Sequence, residues 1–175
     1  MDENKKRKVI ISEDEITEKI KEVGKRVSQD YEGRDILVVS LLKGSFIFTA
    51  DLVRQINVPT QVEFMTTSSY GHNEESAGEV DILNDLDVDV RGRDILIVDD
   101  IMDTGLTMKK IIEHLESKGP NSVRTCVLLD KPERRKVDIT PSYVGFTIPD
   151  LFIVGYGLNY GDYYRGVPYI FSFQE

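Results

Sequence analysis

The stretch Ile95-Leu-Ile-Val-Asp-Asp-Ile-Met-Asp-Thr-Gly-Leu-Thr107 gathers Asp99, Asp100 and Asp103 with Thr104, Gly105, Leu106 and Thr107. An apolar run with the composition of a buried strand feeds straight into these acids, and helical spacing begins just after them. In open α/β sheets ligands sit outside the carboxyl ends of the strands, which is where this loop falls. A helix start offers unpaired N–H groups and the positive end of its dipole, a seat for a phosphate. Thr104 and Thr107 add hydroxyl donors, and Gly105 lets the backbone approach closely. Asp99 and Asp100 would repel a phosphate if they acted alone. Adjacent carboxylates at a strand end suit a sugar diol or a hydrated Mg²⁺, a hard cation that prefers oxygen ligands. An arbitrary Asp-Asp pair is more often two solvated turn residues, and a threonine in such a place is more often a cap. Here strand, acid pair, third acid, Thr-Gly and helix follow in an order that serves a phosphorylated sugar from end to end, and the balance reverses.

These residues need a scaffold, and the hydrophobic pattern supplies one. Residues 12–29 have helical spacing, with Ser12 and Glu15 set as a capping box and Ile16, Ile20, Val23 and Val27 on one face. Residues 35–42 form a nearly continuous apolar run, the look of a strand covered on both faces. Lys43-Gly44-Ser45 then lead into a helical stretch over 46–56 that stops near Pro59. Short strands are expected over 62–65, 94–98 and 123–129. A helix over 107–118 turns Met108, Ile111, Ile112 and Leu115 inward and stops at Gly119-Pro120. Apolar runs near 143–146, 152–156 and 169–173 complete the chain. Strands alternating with helices predict an α/β domain with a mainly parallel sheet. Residues 66–81 are poor in large apolar side chains and predict a mobile loop, at that length a lid or binding loop. No repeat or linker divides residues 1–175, so a single domain is expected.

The bulk numbers exclude some classes. A net charge of -9 over 175 residues argues against a nucleic-acid binder, which needs clustered Lys and Arg. An apolar fraction of 40% is enough for a packed core. Cys126 is the single cysteine, reads as a core residue in a strand, and cannot form an intrachain disulfide. The charged start of the chain shows no secretory signal, and no apolar run approaches the ~20 residues of a membrane helix. A soluble intracellular protein is expected.

The run Val98-Asp-Asp-Ile-Met-Asp-Thr-Gly-Leu-Thr107 resembles the motif by which type I phosphoribosyltransferases bind phosphoribosyl pyrophosphate (PRPP). Its setting resembles the hypoxanthine-guanine branch over about residues 10–170. Supporting matches are Ser40-Leu-Leu-Lys-Gly-Ser45, Ser68-Ser-Tyr-Gly71, Leu128-Leu-Asp-Lys-Pro-Glu-Arg-Arg135 and Val144-Gly-Phe-Thr-Ile-Pro-Asp-Leu-Phe-Ile-Val-Gly-Tyr-Gly-Leu158. The resemblance implies an α/β fold with a mainly parallel twisted sheet flanked by helices, a small hood and a mobile lid. It implies purine salvage: Mg²⁺-dependent transfer of the 5-phosphoribosyl group from PRPP to N9 of hypoxanthine or guanine, giving IMP or GMP and pyrophosphate. A cytoplasmic homodimer or homotetramer is implied as well.

Residue roles follow from the same resemblance. Asp99 and Asp100 would hold the ribose hydroxyls and Mg²⁺-PRPP, and residues Asp103, Thr104, Gly105, Leu106 and Thr107 would wrap the 5′-phosphate. Asp103 would also exchange a proton with the purine N7, a fitting task for a carboxylate. Lys43 and Gly44 match the pyrophosphate loop, whose Leu-Lys peptide is often cis in the family, and Arg165 would reach the pyrophosphate. On the base side, Lys131 would donate to a 6-oxo group, Phe152 would stack on the ring and Ile153 would line the site. Taken alone, Phe152 reads as core. Ser69 and Tyr70 would ride on the lid. The first acid of the motif is Asp99 where the family often has Glu. Asn159 stands where the family usually has an Asp that binds Mg²⁺, so a second metal site is in doubt. Lys109, Lys110, His72 and His114 read as solvated.

Two rivals fit parts of the pattern. A signalling receiver domain shares the strand with an acid pair and a late Lys-Pro, but starting near Arg93 it has too few residues for its five strand-helix units. A non-catalytic PRPP sensor would not need the base-side Lys131 and Phe152.

Overall fold

Three strands carry apolar side chains on both faces and therefore have to lie in the middle of a covered sheet. They are β2 (Ile36–Leu42), β5 (Asp94–Met102) and β6 (Ser122–Asp130). The structure is a computed structural model and describes residues 5–69 and 79–174. Alternation splits each central strand between two layers. Ile36, Val38, Leu96, Val98, Cys126 and Leu128 point to one side, where α1 (Glu13–Asp30) and α2 (Phe46–Val53) bury Ile16, Ile20, Val23, Val27, Phe48 and Leu52. Leu37, Val39, Leu41, Ile95, Ile97 and Val127 point to the other, against Met108, Ile111 and Leu115 of α3 (Leu106–Glu116). The capping box at Ser12 forms as the sequence predicts: Glu15 N–H donates to Ser12 Oγ at 3.2 Å, and Ser12 N–H donates to Glu15 Oε2 at 2.7 Å.

The six-stranded sheet has the order β4-β3-β2-β5-β6-β7, with β7 at Tyr143–Thr147. All neighbours are parallel except β4 (Val80–Asn84), which runs antiparallel to β3 (Thr60–Ser69). From β2 the chain crosses through α2 to β3 on one side; from β5 it crosses through α3 to β6 on the other. The carboxyl ends of β2 and β5 are thus adjacent while their connections diverge, and this divergence opens a crevice. A separate two-stranded antiparallel sheet, β1 (Arg7–Ile11) with β8 (Ile170–Phe173), forms the small hood.

The structure departs from the sequence reading in two places. The strand expected over 62–65 runs from Thr60 to Ser69, and residues 66–69 pair with 80–84 instead of joining a loop. Cross-strand hydrogen bonding offers these polar residues a sheet edge that needs no apolar face, so composition alone misread them. Of the expected lid, residues 70–78, Tyr70 included, lie outside the described residues. The second departure is β1, which no expectation covered; it gains its strand form by pairing with β8, more than 150 residues away in the chain. Among the described residues no helix is long and apolar enough to cross a membrane.

Candidate active site

The end of β5 bends through three carboxylates that each accept a neighbouring backbone N–H. Asp100 N–H donates to Asp99 Oδ1 at 2.9 Å, Ile101 N–H to Asp100 Oδ1 at 2.8 Å, and Thr104 N–H to Asp103 Oδ1 at 2.6 Å. Short polar side chains make such local bonds readily, and here they fix the turn. Gly105, at the head of α3, has φ of 82°, where a side chain would be strained. A Cβ there would also lie 2.9 Å from Val137 Cγ2. Leu106 N–H reaches Thr104 Oγ1 at 3.3 Å, which leaves the hydroxyl hydrogen of Thr104 to a ligand.

Across the crevice, β2 ends in the loop Lys43-Gly44-Ser45, and the Leu42–Lys43 peptide is cis, as the resemblance implies. Ser45 is buried and its hydroxyl donates to the Leu41 carbonyl at 2.5 Å, which ties the loop back to the strand. A Cβ on Gly44 would stand 2.0 Å from Asp100 Oδ2, so a side chain there would force the acid or the loop to move. Gly157 meets Gly44 in turn: its Cβ would lie 2.2 Å from the Gly44 carbonyl oxygen. The resulting concavity is lined by Gly44, Thr67, Asp99, Asp100, Asp103 and Thr107 among others. Another cleft, between α1, α2 and the hood, is lined by Ile16, Ile47, Arg54 and Pro168 and contains none of the predicted site residues.

Burial raises the Asp99 carboxyl well above the usual carboxylate range, and the neighbouring charge of Asp100 raises it further. Burial also raises Asp100, while the hydrogen bonds it accepts and the positive charge of Arg165 act the other way. Among the described residues no Lys or Arg side chain pairs with either acid within 4.0 Å. Nor does any group of three or more His, Cys, Asp and Glu stand ready to hold a metal. Among the described residues the site therefore offers a cation at most a pair of carboxylates.

Just after β6, Lys131 is only 8% exposed, and its backbone N–H donates to the Met102 carbonyl at 2.9 Å. This places the lysine directly beside the acidic turn. Its Nζ lies 3.7 Å from Asp150 Oδ1. Phe152, read from the sequence alone as core, is 60% exposed and meets the Tyr160 ring in a T-shaped contact, ring centroids 6.0 Å apart. The Ile153 side chain is buried in the core, against the expectation that it lines the site. Arg165 Nη1 donates to the Gly157 carbonyl at 2.6 Å and so spans the hood turn. Asn159 turns its amide N–H to the Gly161 carbonyl at 2.7 Å and closes its own exposed turn. Ser69 ends β3, and Lys43 is exposed.

The sequence reading passed over Arg135 and Asp130. Arg135 Nη1 donates to the Asp103 carbonyl at 2.9 Å, and its Nη2 pairs with the Asp130 carboxylate. The signal available was the pair of arginines after Lys131-Pro132, but spacing cannot say which one turns inward.

Comparison with known proteins gives a consistent result. A family model described as phosphoribosyl transferase domain matches residues 12–161. The hypoxanthine-guanine phosphoribosyltransferase of Aquifex aeolicus is 48% identical over 172 residues, spanning 98% of this chain and 97% of that protein. The hypoxanthine phosphoribosyltransferase of Escherichia coli K12 is 48% identical over 164 residues, 93% of this chain and 92% of that one. A crystal structure of a hypoxanthine-guanine phosphoribosyltransferase from Bacillus anthracis superposes with a TM-score of 0.90 at 46% identity, over 94% of this chain and 97% of that one.

Proposed function

The chain belongs to the phosphoribosyl transferase family, and we propose that it is a purine-salvage enzyme that joins hypoxanthine or guanine to the ribose of PRPP. One observation carries this reading. A half-buried pair of acids with no ion-pair partner among the described residues, Asp99 and Asp100, lies at the end of β5 between the Gly44 loop, which follows β2, and the buried Lys131, which follows β6. In the transfer, N9 of the purine bonds to C1′ of the ribose as the bond from C1′ to the pyrophosphate oxygen breaks, and pyrophosphate leaves with the electron pair. Asp99 and Asp100 hold the ribose hydroxyls, and the turn from Asp103 to Thr107 with the start of α3 holds the 5′-phosphate. Asp103 accepts or returns a proton at N7. Lys131 donates to the 6-oxo oxygen, and Phe152 offers its exposed face to the ring. Arg165 and the Lys43-Gly44 loop meet the pyrophosphate.

Mg²⁺ fits this site as a shared guest: Asp99 and Asp100 would hold it together with water and pyrophosphate oxygens, since magnesium takes one or two carboxylates and keeps much of its hydration. When bound, it offsets the negative charge that gathers on the pyrophosphate. Asn159 supplies no charge for a second ion, and its bond to Gly161 describes a turn cap. A cytoplasmic location and a homodimer or homotetramer belong to the same proposal. Light scattering would detect such an assembly.

A spectrophotometric assay with PRPP, Mg²⁺ and each purine tests the activity. Hypoxanthine should turn over and adenine should be essentially inert, because an amino group at position 6 leaves the Lys131 ammonium without its acceptor. Adenine turnover within about tenfold of hypoxanthine would sink the role of Lys131; no turnover of any purine would sink the reading as a whole.

A further inference from the structure

The 103–105 turn is held from outside its own segment, and the holding group is Arg135. Its guanidinium donates through Nη1 to the Asp103 carbonyl at 2.9 Å and through Nη2 to Asp130 Oδ1 at 2.5 Å. The two side chains are only 16% and 11% exposed. A buried ion pair recovers the loss of water only when its geometry is good and its remaining donors find acceptors, which the Asp103 carbonyl provides here. The contact continues along the stem: a Cβ on Gly105 would lie 3.1 Å from Arg135 Cδ. Next to it, Lys136 N–H donates to the Thr104 carbonyl at 2.9 Å. Asp130 ends β6, and Lys131 follows it at the start of the short 3-10 turn Pro132–Arg134. The segment that carries the base-side lysine is thus stitched to the segment that carries the acid Asp103.

We propose that Arg135 is a positioning residue that locks the 103–105 turn against the Lys131 segment, so that the proton-handling acid and the 6-oxo donor keep a fixed separation. The proposal rests on the phosphoribosyl-transfer reading. Arginine is required because its planar fork can serve a carboxylate and a carbonyl at once, whereas lysine presents a point charge. Misplacing reacting groups by about 1 Å can cost about a hundredfold in rate.

The test compares wild type with Arg135→Lys and Arg135→Ala by kinetics, thermal unfolding and amide hydrogen exchange of the ligand-free protein. Arg135→Lys should lower kcat/KM for PRPP about ten- to a hundredfold while thermal stability changes little, and exchange of the 104–106 amides should speed up. Added guanidinium at millimolar concentration should return part of the activity of Arg135→Ala, and equal ammonium should not. Wild-type exchange at 104–106 in Arg135→Lys overturns the proposal, as does a kinetic loss that follows stability and ignores guanidinium. A wild-type protein without transferase activity would refute the function reading, while the exchange measurement still decides whether Arg135 holds the turn.

Discussion

One strand, β5, has acids at both ends, and the two ends treat them oppositely. At its start Asp94 accepts from Ser122 Oγ at 2.6 Å and from Asn121 Nδ2 at 2.8 Å, with Arg34 Nη1 at 3.5 Å. Burial pushes its carboxyl up, but the hydrogen bonds from Ser122 and Asn121 and the charges of Arg34 and Arg124 outweigh it, and the net position is below the usual range. At the far end of the same strand Asp99 and Asp100 are pushed the other way, with no cationic side chain paired to them among the described residues. The start is a finished structural network: nearby, Asp30 accepts from the Tyr143 hydroxyl at 2.5 Å and pairs with Arg124 at 3.8 Å. The far end has no such network: burial dominates both acids, and the charge of Arg165 acts on Asp100 from beyond ion-pair distance, an arrangement that marks a functional-site candidate.

The largest effect that would test this contrast is on catalysis. Asp103→Asn keeps the shape of the turn, because an amide oxygen can still accept from Thr104 N–H, but removes the proton acceptor. A drop in kcat of about 10²- to 10⁴-fold with little change in PRPP affinity is expected. Asp94→Asn, by comparison, should leave kcat near wild type. An unchanged kcat in Asp103→Asn would make that residue a shaper of the loop and nothing more.

Next in size is Gly44→Ala. A methyl group 2.0 Å from Asp100 Oδ2 has no room, so the acid or the loop must move. Steady-state kinetics should show a loss of about tenfold to a hundredfold in kcat/KM for PRPP. A variant with wild-type kinetics would mean that the closeness of the two loops has no role.

Stability should move in opposite directions at the two ends. Because the folded carboxyl of Asp99 sits above its unfolded value of about 3.9, the folded state binds the proton more tightly. Its contribution to stability is therefore present at low pH and is lost as pH rises from about 3.9 through the raised folded value. Asp99→Asn removes that loss and should raise Tm at neutral pH without ligand, whereas Asp94→Asn should lower it. Each kcal/mol corresponds to about 2–4 °C in a domain of this size. Calorimetry at pH 5 and pH 8 separates the two, and a fall in both variants would erase the contrast.

The smallest effect concerns Asn159. Asn159→Asp adds a carboxylate at the rim, and the Mg²⁺ concentration for half-maximal rate should fall while the KM for hypoxanthine stays put. Superimposable magnesium titrations would leave Asn159 as the cap of its turn, the role its bond to Gly161 describes.

Local patterns in the chain determined a good deal. The buried strands, the capping box at Ser12, the α/β alternation and the acidic loop feeding a helix are all consequences of short-range spacing, because period and capping act over a few residues. The motif residues could therefore be read in advance as one acidic turn leading into α3. What the tertiary structure decided depends on groups far apart in sequence. Spacing could not show that Gly44 packs against the Asp100 carboxylate, that β1 becomes a strand by pairing with β8, or that Ile153 turns into the core while Phe152 stays out. It could not select Arg135 over Arg134 either, since Arg134 reaches outward to Asp150 and Arg135 reaches inward to Asp130 and the Asp103 carbonyl. A charged side chain takes its role from the partner that desolvates it, and that partner is brought near only when the sheet closes.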